Sequence, residues 1–257
     1  GELASGNGRY GLFGGKVSPF STGWSDIAGH KYVMGAGFGR MDNSVTYKTP
    51  TFAGFNVLAQ YSFKKDSTED GREGSSDVNR QYALGASFTA GDLYLTGIVT
   101  PTNLQSLGKQ DVEDPLTVSL GGNYNFGVAK LYVAGQYFKD SDLAVQQIDR
   151  YIKDTNTNGQ TGKQFNGFGL TVGADVPAFG GTAKALVGYM DADDQAATDA
   201  HDMQRYAFSV GYEYPLSKRT FVYGGAGYYV DSYDKVAAGR DDKASVAAVN
   251  AGLVHKF

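Results

Sequence analysis

The stretch Val249-Asn250-Ala251-Gly252-Leu253-Val254-His255-Lys256-Phe257 decides the fold. Side chains alternate across an extended chain, so Leu253, His255 and Phe257 share one face while Val254 and Lys256 share the other. A two-residue period that stops on an aromatic, with no polar tail behind it, suits a strand sealing a barrel in lipid. The same alternation recurs upstream. Phe55, Val57, Ala59, Tyr61 and Phe63 oppose Asn56, Gln60, Ser62 and Lys64; Leu116, Val118, Leu120, Tyr124 and Phe126 oppose Thr117, Ser119, Asn123 and Asn125; Tyr206, Phe208, Val210, Tyr212 and Tyr214 oppose Arg205, Ser209 and Glu213. One side of each strand suits lipid and the other water.

Composition agrees with many short strands joined by turns. The 257 residues include 36 glycines, 18 tyrosines and 15 phenylalanines but six prolines and one tryptophan, which excludes an all-helical fold. With 41% hydrophobic residues the chain resembles a soluble protein on average. A wide barrel gives the same average, since half of each strand faces an aqueous lumen. No run of about 18 apolar residues is present, whereas tilted strands of about 9 to 11 residues cross a bilayer, so only a closed barrel could span one here. The absence of cysteine is compatible with export or with the cytosol. A net charge of −4 offers no basic stripe for nucleic acid. The start, Gly1-Glu2-Leu3-Ala4, carries no signal-peptide pattern and reads as a mature chain or a piece of one.

The pattern predicts an all-β, antiparallel up-and-down barrel in a single domain, 1–257, with about twelve strands: 9–17, 43–49, 54–64, 80–90, 93–100, 115–126, 128–139, 165–176, 182–191, 204–214, 220–231 and 245–257. Their connections alternate. Tight turns fall at Pro50–Ala53, Gly91-Asp92, Gly127, Pro177–Gly181 and Pro215–Arg219, and long polar loops at 18–42, 65–79, 101–114, 140–164, 192–203 and 232–244. Short turns on one side and long loops on the other are the rhythm of a membrane meander. Aromatics beside the turns (Tyr61, Phe63, Tyr82, Tyr124, Phe126, Tyr212, Tyr214, Phe221) read as interfacial girdles, although tyrosine is also simply a good strand former.

With those residues in hand, the chain resembles the Gram-negative general porins. Ser18-Pro19-Phe20 and Gly39–Phe55 look like the constriction loop and following hairpin of that family, and Gly252–Phe257 is similar to its terminus, especially in the proteobacterial branch. The resemblance implies a sixteen-stranded, trimeric outer-membrane barrel whose constriction loop, here about 18–42, follows the fifth strand. In this chain the loop follows the first predicted strand, so four strands are expected to be missing at the front; a twelve-stranded barrel is the rival. The resemblance further implies a water-filled channel for passive diffusion of small hydrophilic solutes and ions, without cofactor or catalysis. It implies outer-membrane lipid and lipopolysaccharide as surroundings, and assembly machinery that reads the last strand, with Phe257 as its signal. A structural or adhesive barrel presenting loops is the alternative.

The inward-folded loop carries Trp24, Asp26, His30, Lys31, Arg40 and Asp42, with Asp26 and Asp42 its only acids. Inward-facing strand charges are Lys64, Lys130, Lys184, Arg205 and Lys256 against Asp175 and Glu213, a basic balance that suggests a mild anion preference. These lysines are equally readable as solvated rim charges. Asp154–Gly159 matches the first half of a calcium loop, D-x-N-x-N-G, but Phe165 stands where a bidentate Glu belongs. Asp191, Asp193, Asp194, Asp231, Asp234, Asp241 and Asp242 could bridge lipopolysaccharide through divalent ions, or serve only as solvated loop charge. His30, His201 and His255 have no metal-site spacing, and no strand offers a Ser and a His as sequence neighbours on one outward face, which leaves only spatial neighbours for a catalytic constellation.

Overall fold

The computed structural model describes residues 11–20, 24, 27–34, 36, 41–68, 70–104, 113–142, 164–195, 202–234 and 242–257. Among them eleven strands form one antiparallel sheet in sequence order: β1 (Ser44–Lys48), β2 (Phe55–Ser62), β3 (Arg80–Ala90), β4 (Leu93–Asn103), β5 (Leu116–Asn125), β6 (Lys130–Ser141), β7 (Phe165–Ala178), β8 (Gly181–Asp194), β9 (Met203–Pro215), β10 (Thr220–Tyr233) and β11 (Lys243–His255). Every neighbour pair is an antiparallel hairpin, as a meander requires. β1 and β11 each pair on one side only, so the described sheet has two open edges.

The short connections all lie at one end. Between β7 and β8, Phe179 and Gly180 take left-handed backbone angles (φ 48° and 80°), and the Tyr212 hydroxyl donates to the carbonyls of Ala178 (2.8 Å) and Phe179 (3.1 Å) across the turn. β4 runs three residues past the expected end, through Pro101. Proline has no N–H to give, and no β3 residue is paired opposite Thr100 or Pro101, while β5 still pairs with both.

The outward face is an apolar band. Leu120, Leu170, Val172 and Val210 project from it well exposed, and aromatic contacts mark its two borders: Tyr61–Tyr82 and Tyr189–Tyr206 on the loop side, Phe55–Phe88 and Tyr124–Phe126 on the turn side. Exposed apolar surface of this extent needs an apolar cover, and a band with aromatic borders fits acyl chains.

One expected strand does not form. Over residues 11–17 the chain makes a 3-10 turn, Gly14–Lys16, and packs against the inner wall with Leu12, Phe13 and Val17 buried. The alternation of these residues is short and interrupted by Gly14-Gly15, and their apolar side chains gain more by covering the wall than by extending the ladder. The inner face is consequently not hydrophilic throughout. Where the segment lies on it, Ile98, Ala134, Phe138, Leu186, Met190, Ala207 and Tyr229 pack against the segment in an apolar patch. Other inward positions, some of them also touching the segment, are polar, including Gln60, Thr96, Thr100, Ser119, Asn123 and Thr171.

Candidate functional site

The inward segment, followed through its described residues from Leu12 to Ala36, traces a hairpin-shaped path over the wall. Its outbound limb runs along the turn-side tier: Leu12 faces Gly85 of β3, Val17 faces Gly121 of β5, Pro19 faces Gly173 of β7, and Phe20 and Trp24 face Gly211 of β9. Ile27 then meets Gly225 and Gly227 of β10. The return limb runs one tier closer to the long loops, with Gly29 against Ser209 and Leu186, and with α1 (His30–Val33) over β7, β8 and β9. Glycines of the wall make this approach possible. A Cβ built on Gly169 would collide with the backbone carbonyl of Val33, and one on Gly211 would stand 2.9 Å from the Trp24 ring. The strands thus contribute to the closeness through their glycines.

Wall side chains bind the backbone of the segment at almost every step. Tyr94 Oη donates to the Leu12 carbonyl (2.8 Å), Asn123 Nδ2 to Lys16 (2.6 Å) and Asn250 Nδ2 to Trp24 (2.8 Å). Ser209 Oγ accepts the Gly29 amide (3.2 Å). Gln136 closes a two-bond clamp on Ala36, accepting its amide at 2.9 Å and donating to its carbonyl at 3.0 Å. Buried irregular backbone has no ladder of its own, so these side chains satisfy groups that would otherwise cost stability. Sequence reading identified none of Tyr94, Asn123, Gln136, Ser209 and Asn250 as a site residue; their only signal was a polar residue at an inward strand position.

Arg205 is the most enclosed of the expected site residues that are described. Its Nε and Nη2 make a two-pronged pair with Asp231 (2.5 and 2.7 Å), Nη1 donates to the Tyr32 carbonyl (2.9 Å), and the Tyr233 hydroxyl donates to Asp231 (2.9 Å). Both charges are almost completely buried, so Asp231 is no loop carboxylate and Arg205 presents no charge to solute. Three other expected residues meet near the turn side: Lys184 pairs with Asp175 (3.1 Å) and Glu213 (3.7 Å), and Tyr132 Oη donates to Asp175 (2.9 Å). Lys130 stands beside them, 5.1 Å over the Tyr132 ring.

The remaining expected residues scatter. Asp42 lies outside the lumen at the long-loop end, where the Ser67 hydroxyl (2.5 Å) and amide (3.0 Å) hold its carboxyl below the usual carboxylate range. Lys64 reaches the Gly71 carbonyl in the same loop (3.2 Å), and Lys31 lies over the Tyr32 ring. Asp26 and Arg40 fall outside the described residues, as do His201, Asp241 and the calcium-like run 154–159. His30 is buried with Nδ1 unpartnered; burial, and then the neighbouring Lys31, push its imidazole down to about 4. No group of three His, Asp or Glu among the described residues is placed to hold a metal.

A family model described as Gram-negative porin matches residues 3–234. The chain belongs to the Gram-negative porin family. This porin is 30% identical to an outer membrane porin protein of Bordetella pertussis over 95% of its own length and 64% of that protein. It is 28% identical to outer membrane porin protein 32 of Delftia acidovorans over 72% of its length and 45% of that protein. It therefore spans less than two thirds of the curated relatives it matches. Among solved structures it superposes on an anion-selective porin from Comamonas acidovorans with a TM-score of 0.56 at 24% identity, covering 84% of this porin and 60% of the other. A loop-deletion form of OmpT from Vibrio cholerae gives a TM-score of 0.54 at 16% identity, covering 84% and 63%. The porin barrel fold and an outer-membrane location follow.

Proposed function

We propose that this porin forms part of a water-filled outer-membrane channel for passive, non-enzymatic diffusion of small hydrophilic solutes and ions. The observation that carries this reading is the inward segment, anchored from β3 to β11 on the lumen side of a lipid-facing sheet, where it narrows whatever passes. Because lipid supplies no hydrogen bonds, the free edges of β1 and β11 need further strands to close the ring; a sixteen-stranded ring takes five beyond the eleven described, not the four expected. A homotrimer in lipopolysaccharide, assembled through the strand ending in Phe257, completes the reading.

Lys16, Lys130 and Lys256 face inward without a carboxylate partner among the described residues, whereas Asp175 and Glu213 are both engaged by Lys184 and Asp231 by Arg205. That imbalance supports a mild preference for anions. Planar-bilayer recording tests both statements. Stepwise openings in threes, with a reversal potential under a salt gradient signed for anions, are expected. Absence of conductance removes the channel, and a cation-signed potential removes the preference.

A further inference from the structure

On the inner wall, at its turn side, a cavity of about 470 Å³ lies between the Gly14–Lys16 turn of the inward segment and the ends of β3 to β6. Lys16 enters it from the segment and Lys130 from β6; Thr89, Asp92, Tyr94, Asn123 and Asn125 complete its polar lining.

Charge accounting sets this cavity apart. One strand further along the wall, the Lys184 ammonium is shared by the Asp175 and Glu213 carboxylates. The two ammonium groups of the cavity form no ion pair among the described residues: Asp92 lines the same cavity and Asp175 stands opposite Lys130 in register, but neither is within pairing distance. Lys16 Nζ donates to the Gly11 carbonyl (2.7 Å) and lies 5.6 Å from the centre of the Tyr94 ring, Lys130 lies over Tyr132, and neither pairs with Asp92. Burial, and then the nearby Lys48, push the Lys16 ammonium below the usual lysine range, as expected of a cation held short of counter-charge. Asn125 Oδ1 is occupied by the Gly127 amide (3.0 Å), which leaves its amide nitrogen as a donor.

We propose that this cavity is an oxyanion subsite, taking a small phosphate- or carboxylate-bearing solute between the Lys16 and Lys130 ammonium groups with the Asn125 amide as a further donor. Two cations and a neutral donor lining one cavity match an oxyanion, because charge-assisted hydrogen bonds to its several oxygens are the strong ones. Asp92 at the edge disfavours bulky polyanions and leaves room for a single acidic group. As a step in transport the subsite rests on the channel reading; binding itself does not need flow.

The test is calorimetric titration of inorganic phosphate into the full chain folded in detergent micelles. One saturable site is expected, weakened about tenfold by K16Q and by K130Q and unchanged by K218Q, whose lysine sits on the exposed β9–β10 turn. No saturable heat in the parent, or equal affinity in parent and both glutamine variants, overturns the subsite. If a glutamine variant fails to fold, the parent supplies the answer: between about pH 8 and 11, where phosphate keeps one charge state, affinity must fall as the lysines deprotonate. Affinity that is constant over that range overturns the proposal. Bilayer recording separates the two readings. Current without phosphate heat removes only the subsite, and phosphate heat without current leaves the subsite standing and removes the channel.

Discussion

Nη1 of Arg205 donates to the carbonyl of Tyr32 at 2.9 Å, across 173 residues of sequence, and so fastens the end of α1 to β9. The same guanidinium is held by both oxygens of Asp231 on β10. Desolvating such a pair gains little over an apolar replacement, but removing one member strands the other charge. Asp231→Asn is therefore expected to cost about 3 to 5 kcal/mol in urea unfolding from micelles, and Arg205→Lys nearly as much, since lysine cannot supply the fork. A loss below about 1 kcal/mol would show that the pair is not what seats the segment.

The docked segment is expected to loosen in acid. His30 in the folded chain titrates near 4 against an ordinary 6.5, because burial disfavours the cation. Both states are neutral above the ordinary value, so pH has no effect there. Below it the undocked state takes up the proton first, and stability falls as pH drops from about 6.5 to about 4, by on the order of 3 kcal/mol in total. Trp24, the chain's one tryptophan, packs edge-on to Phe20 and Tyr223 and reports the event by fluorescence. His30→Gln should flatten the profile between about pH 4 and 6.5; an unchanged profile assigns the acid response elsewhere.

Adding one methyl to the wall should displace the return limb. Gly169→Ala puts a Cβ into the Val33 carbonyl, a backbone atom that cannot swing aside, whereas Gly224→Ala meets nothing closer than 3.7 Å. The expected cost of the first is about 1 to 3 kcal/mol, with faster proteolysis near α1, and the second should match the parent. Equal protease resistance in both variants would mean the segment does not lie against β7.

The outward face should reject charge by depth. Leu120 lies mid-strand on β5 and is 62% exposed, as a lipid-facing residue is in the isolated chain. Leu120→Arg is expected to lower folding stability in vesicles by about 2 to 4 kcal/mol, and Val128→Arg, in the β5–β6 turn, by about 1 or less. Equal effects at the two sites would contradict the membrane orientation.

How much was readable in advance differs between wall and segment. Period-two alternation located eleven strands to within a few residues, because a sheet between lipid and water imposes that pattern on every strand. The strand expected at 9–17 failed because a short apolar alternation around Gly14-Gly15 is equally a surface to be buried, and local pattern does not say against what. Lys130, Lys184, Arg205 and Glu213 were readable as inward-facing from parity alone. That Lys184 and Glu213 meet, and that Arg205 is consumed by Asp231 and Tyr32, follows from register between strands and from a segment distant in sequence.

By itself the sequence determined the strands, their facing, the two sides of the sheet and the kind of solvent on each, since these depend on neighbours two residues apart. Only the tertiary structure decided where the described residues between Leu12 and Ala36 lie, the wall glycines that admit them, and which lumen charges stay out of ion pairs among the described residues, because each rests on contacts between groups that chain connectivity leaves far apart and only the folded sheet brings within bonding distance.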